Sequence, residues 1–269
     1  MTQLASPRAY RVVRIVPLTE WAYRSGIVTT AFIILTQVFL YVVMWRSLYE
    51  NTSRVARLDV DQAITYSSLA TLIGTTKVIL AGRSRESVPN KIRDGSILFW
   101  FTRPLSPRRY CAWRGVGETL YSTSWTLTGL AIGVGFGIIS LPNSPYAIFS
   151  VVSYAVGQVV LYYLALIIDL TGFWTLTTYG VTRLYAFAQA LLSGALIPIW
   201  FFPPWFRTVS LHLPFAAGIN TPVSIYVGRL RPEAVWSALL EQLLWCVILY
   251  ALSRFVWWRA ARRLVVAGG

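Results

Sequence analysis

Fifty consecutive residues, 119–168, carry no charged side chain and no histidine. A helix crossing ~30 Å of hydrocarbon needs about 20 residues at ~1.5 Å each, so this run holds two crossings and the turn between them. The turn is legible as Leu141-Pro142-Asn143-Ser144-Pro145, a cluster that stops helices. Residues 25–45 and 184–206 are likewise free of charge. Two weaker runs complete the set: 62–81, which is polar and ends near Lys77, and 234–253, which contains Glu241. The expected fold is an all-α membrane protein with six transmembrane helices at about 26–45, 62–81, 118–140, 146–169, 184–203 and 234–253, forming a single domain over 1–269. Composition agrees. Charged residues make up 13% of the chain, against about a quarter in a soluble domain whose surface faces water.

The net charge of +14 could point to nucleic acid, but its distribution follows the loops. With the N-terminus in the cytoplasm and six spans, only Arg46, Arg54, Arg57, Arg207, Arg229 and Arg231 of the 24 basic residues fall outside. That asymmetry is the positive-inside bias, and it places both termini in the cytoplasm. The first apolar run is too long for a signal-peptide core and lacks a small-residue cleavage site, so it is expected to be a retained span. Cys111 in a cytoplasmic loop and Cys246 in the last span imply no disulfide and no metal site.

Before the first span, Arg8, Arg11 and Arg14 recur every three residues among Tyr10, Val12, Val13, Ile15 and Val16. A basic amphipathic segment of this kind suits a helix lying in the cytoplasmic interface. The longest cytoplasmic stretch, about 82–115, sets Arg83, Arg85, Lys91, Arg93, Arg103, Arg108, Arg109 and Arg114 against Glu86 and Asp94. Within it, residues 87–101 read as a short amphipathic helix starting near Pro89 and ended by Arg103-Pro104-Leu105-Ser106-Pro107. It either transmits force between two spans or rests on lipid headgroups. In the third span Gly129, Gly133 and Gly137 follow at i, i+4 and i+8, a stripe expected to let another helix approach closely. Between 203 and 232, Pro203 and Pro204 end the fifth span, and Pro214, Gly218, Asn220 and Pro222 interrupt an apolar stretch. A seventh crossing there would put Arg254, Arg259, Arg262 and Arg263 outside, so a broken re-entrant segment before the sixth span is expected instead.

Catalytic signatures are missing from the sequence. There is no Gly-x-x-x-x-Gly-Lys-Ser/Thr phosphate loop, no Gly-x-Ser-x-Gly elbow, and the single histidine, His212, has no metal-ligand partner at sequence spacing. Lys77, Glu118, Asp169 and Arg183 lie near the cytoplasmic span ends, where ion pairing is the expected role. Glu241 is deeper and is the candidate for a substrate path, since charges at membrane depth are costly and default to function.

The stretch Lys91-Ile92-Arg93-Asp94-Gly95-Ser96-Ile97-Leu98-Phe99-Trp100-Phe101-Thr102-Arg103-Pro104-Leu105 resembles a segment of ABC-transporter permeases of the ABC-2 family. The layout is similar too, with an N-terminal interfacial helix, six spans and a Pro-rich outer segment before the last. The resemblance implies a permease subunit of an exporter rather than an enzyme, in a cell membrane expected to be bacterial. ATP and Mg would be bound by a separate cytoplasmic ATPase present in two copies, with no cofactor in this chain. A second permease chain, identical or homologous, would complete the path. It further implies that Ile92, Arg93, Asp94, Gly95, Phe99, Arg103 and Pro104 form the coupling helix and turn that the ATPase grips. Two alternatives stand beside it: a membrane-embedded enzyme acting on lipid-linked substrates, and a non-transporting assembly subunit.

Overall fold

Apolar runs and the Pro and Gly residues between them set the helix boundaries in the computed structural model, which describes residues 7–50, 59–83, 88–97, 99, 105–142, 145–175 and 178–267. In chain order the helices are α1 (Pro7–Ala22), α2 (Arg24–Tyr49), α3 (Val60–Arg83), α4 (Val88–Arg93) and α5 (Pro107–Gly135). They continue as α6 (Ile148–Leu170), α7 (Tyr179–Leu192), α8 (Pro204–Leu211), α9 (Pro214–Gly218), α10 (Asn220–Tyr226) and α11 (Pro232–Ala267). Among the described residues, three helices are long and apolar enough to cross a membrane: α2, α6 with its flanking 3-10 turns (Pro145–Phe173), and α11 over Pro232–Arg262.

The polar helix α3 is the hub. Residues 63–74 are buried throughout, because α3 is enclosed by α2, α5 and α10. Its hydroxyls reach a different neighbour at each level. Trp45 Nε1 donates to Ser67 Oγ at 2.8 Å, and Thr75 Oγ1 donates to Gln37 Oε1 at 2.7 Å. The Ser140 amide donates to Thr65 Oγ1 at 2.9 Å, and Tyr66 donates to Asn220 Oδ1 at 3.0 Å. In lipid, where helices gain no hydrophobic driving force, such bonds add to close packing in holding a bundle together.

α1 lies against α5, with Val16 packed on Tyr121 and Trp125. The approach is close because Gly117 has no side chain: a Cβ there would collide with the Val13 carbonyl oxygen. That carbonyl is also the one left without a helix donor by Pro17, which lacks an N–H. Proline and glycine therefore work as a pair across this crossing. The opposite side of α1 leaves Tyr10, Ile15, Leu18 and Trp21 exposed.

Several boundaries differ from those expected. The helix expected at 118–140 begins at Pro107 and ends at Gly135. Gly129 closes on Leu72 of α3, and Gly133 on Ile139. Gly137 lies past the helix end with φ 67° and open space around it, so the third member of the glycine stripe makes a left-handed turn instead of a packing face. The run expected to span 184–203 is helical only as α7, 14 residues or about 21 Å. Gly194, at φ 76°, breaks it, and Pro198 opens a 3-10 turn at Ile199–Phe201. The last helix extends far beyond 253, to Ala267. The Asn51-Thr52-Ser53 stretch lies outside the described residues.

Residues 204–226 form three short helices because Pro204 and Pro214 each open a new one and Gly218 ends the second. Their buried part packs on α6 and α11. Gly157 of α6 admits the Gly218 carbonyl, which would lie 2.9 Å from a Cβ at that position. Gln242 of α11, 1% exposed, donates to the Ala217 carbonyl at 2.6 Å and to the Ser153 carbonyl at 3.1 Å. Its own oxygen accepts from Ser153 Oγ at 2.9 Å. One amide thus satisfies the broken backbone and ties it to two long helices.

Candidate functional site

The loop joining α3 to α5 is the first candidate. α4 is a single amphipathic piece, Val-Pro-Asn-Lys-Ile-Arg, and begins one residue before the expected start at Pro89. Val88 and, after the turn, Ile97 are buried in a cluster with Cys111 of α5, Leu170 of α6 and Trp257 of α11. Ile92, Tyr110, Leu166, Phe173 and Val256 pack against this cluster. The loop helix is therefore seated on the ends of three long helices, and Ile92 helps to seat it.

A turn follows. The Gly95 amide donates to the Ile92 carbonyl at 3.2 Å, and Gly95 adopts φ 72°, a left-handed C-terminal stop that glycine takes without strain. Asp94 Oδ1 accepts from the Ser96 amide at 2.9 Å and from Ser96 Oγ at 2.6 Å, which fixes the turn on the C-terminal side. Asp94 and Gly95 are exposed, and Phe99 is 67% exposed. The loop thus has an inner apolar side gripped by its own chain and an outer side formed by Asp94, Gly95 and Phe99. Arg93 ends α4; Arg103 and Pro104 lie outside the described residues.

Beside this seat the ionisable residues of neighbouring helix ends converge. Arg114 Nε pairs with Glu118 Oε1 at 2.9 Å, and Lys77 Nζ donates to Thr119 Oγ1 at 3.2 Å. Asp169 lies within electrostatic reach of Glu118 and Arg114, and Lys77 within reach of Glu118. Two acids and two bases thus gather at the ends of three helices, with Arg114 and Glu118 in direct contact. Arg183 stands apart, its guanidinium 5.1 Å from the Tyr179 ring centre.

The second candidate is Glu241. It does not stand alone: His212, at the end of α8, places Nδ1 3.0 Å from Glu241 Oε1. Trp245 Nε1 donates to the His212 carbonyl at 3.2 Å. Twenty-nine residues separate the two, so no sequence spacing announces the pair. The role of Trp257 in seating the loop helix also went unforeseen. Its only signal is the spacing of Ser253, Val256, Trp257 and Ala260, which continues one buried face beyond the span. Among the described residues, no three or more His, Cys, Asp or Glu side chains gather where a metal ion could be held.

Among the described residues every element is helical, with three helices long and apolar enough to cross a membrane, a polar helix enclosed beside them and a loop helix seated on helix ends, the make-up of an integral membrane protein. Residues 31–268 match the family model described as ABC-2 family transporter protein, and the chain belongs to that family. No curated protein and no solved structure matches it.

Proposed function

We propose that this chain is the membrane-spanning permease subunit of an ATP-driven exporter, and that α4 with its Asp94-Gly95 turn is the element that a cytoplasmic ATPase grips. The family supports a permease, and one observation carries the assignment of the loop. α4 is anchored on its inner side to α5, α6 and α11 while its turn is presented outward. A force applied to the turn would be delivered to three long helices at once. In this reading 1–269 is one permease unit with six spans. The short α7 and the 3-10 turn after it make up the fifth span, and residues 204–226 form a re-entrant segment on the outer side. Both termini lie in the cytoplasm, the membrane is a bacterial plasma membrane, and a second permease chain with two ATPase copies completes the machine.

Co-expression with the ATPase encoded nearest to this chain's gene tests the assignment. A tagged chain is expected to bring the ATPase down, and Arg93→Glu is expected to lose stimulated ATP hydrolysis while the membrane part stays folded. A chain that never retains an ATPase, or a variant with normal stimulated hydrolysis, contradicts it.

A further inference from the structure

The His212–Glu241 pair lies well inside a candidate membrane span and faces outward from the chain. Glu241 is about 13 Å along α11 from Pro232 at ~1.5 Å per residue. A second ruler agrees. The adjacent Gln242 bonds to Ser153, which is about 12 Å from Pro145 at the outer end of α6. With those helix ends at the outer membrane surface, both place the pair within the outer half of ~30 Å of hydrocarbon. Yet the side chains of His212 and Glu241 are 71% and 36% exposed. An ionisable pair facing hydrocarbon at that depth is costly, and such groups face a polar path or a ligand.

The chemistry of the pair defines what it would take. With Nδ1–H donating to the carboxylate, His212 Nε2 and the second carboxylate oxygen both remain acceptors. Acceptors with one negative charge call for a cationic hydrogen-bond donor. Leu240 and Leu244 flank Glu241 on α11 and are exposed, as is Leu211 beside His212, so the rim is apolar. Trp245 holds the His212 backbone in place.

We propose that His212 and Glu241 form a recognition site within the outer half of the membrane for amphipathic organic cations, with an apolar body on the leucine rim and a protonated amine on the pair. This rests on the transporter reading for its purpose, though not for its geometry.

The test is equilibrium binding of two xanthene dyes, a cationic rhodamine ester and anionic fluorescein, to the full chain in lipid nanodiscs, with empty nanodiscs subtracted. Saturable binding of the cationic dye, at least tenfold tighter than that of fluorescein, is expected. Glu241→Gln is expected to weaken it at least tenfold, His212→Leu to weaken it by a smaller factor, and Glu233→Gln to leave it unchanged. If Glu241→Gln does not fold, the comparison of dyes on the unaltered chain decides alone. Equal affinity for both dyes, or unchanged binding in Glu241→Gln, overturns the proposal. So does disulfide formation between two copies of Glu241→Cys, which would mean that a second copy covers the pair. Failure here with ATP-coupled transport intact sinks only this site. Binding of the cationic dye by a chain that retains no ATPase sinks only the exporter reading.

Discussion

Gln242 shows how one side chain makes a broken helix tolerable in lipid. α9 ends at Gly218, which leaves the Ala217 carbonyl without a helix donor, and the Gln242 amide supplies one. An unsatisfied buried carbonyl costs about 1–3 kcal/mol, and more where no water can reach. Gln242→Leu should therefore lower the thermal unfolding midpoint in detergent by several degrees, and Gln242→Asn, too short to reach both carbonyls, by an intermediate amount. An unchanged midpoint in the leucine variant would mean that the carbonyl finds another donor. Gly95 makes the complementary point about backbone. No atom lies near where its Cβ would be, so size is not the constraint; φ 72° is. Proline, fixed near −65°, cannot adopt that angle, whereas asparagine visits it readily. Gly95→Asn should keep ATPase stimulation within about twofold, and Gly95→Pro should abolish it, as read in reconstituted complexes. Equal activity in both would detach the turn from coupling.

At the scale of elements, the crossing of α1 and α5 is set by backbone contact. The Val13 carbonyl, freed by Pro17, faces the Cα of Gly117, and nothing flexible lies between them. Gly117→Val should lift α1 off α5 without unfolding the bundle, so the amides of α1 should exchange hydrogen at least tenfold faster. Protection equal to that of the unaltered chain would contradict the close approach. Legibility varied element by element for physical reasons. α2 and α6 are readable because a long uncharged run has few other uses, and α11 because its apolar run is broken by Glu241 alone between 234 and 253. α3 looks weak in sequence because Thr65, Ser67 and Thr75 serve tertiary bonds that have no sequence period. α7 was placed too far along the chain because hydropathy registers the apolar character of residues 193–203 and is insensitive to the φ of Gly194. The helix before Gly95 is legible from Pro89 and the residues after it, but its seat is not. Trp257 and Leu170 reach it from distant parts of the chain, and the His212–Glu241 pair is likewise a product of tertiary packing alone.

At the scale of the whole molecule, the seat of α4 joins the ends of α5, α6 and α11 on one side. Some 15 residues away on α11 and 17 on α6, toward their other ends, Gln242 joins those same two helices to the 204–226 segment. α6 and α11 are therefore the rigid pair that links the loop to the opposite side of the bundle. A cytoplasmic ATPase can grip the turn only if the outer face of the loop lies in the cytoplasm. The native Cys111 is a poor reporter because it is buried in the seat itself. A chain with Cys111→Ala, Cys246→Ala and Phe99→Cys puts a thiol on the exposed side of the loop. A membrane-impermeant maleimide is predicted to label it in inside-out vesicles and not in intact cells. Labelling from outside intact cells would place α4 beyond the reach of any cytoplasmic ATPase and contradict the account.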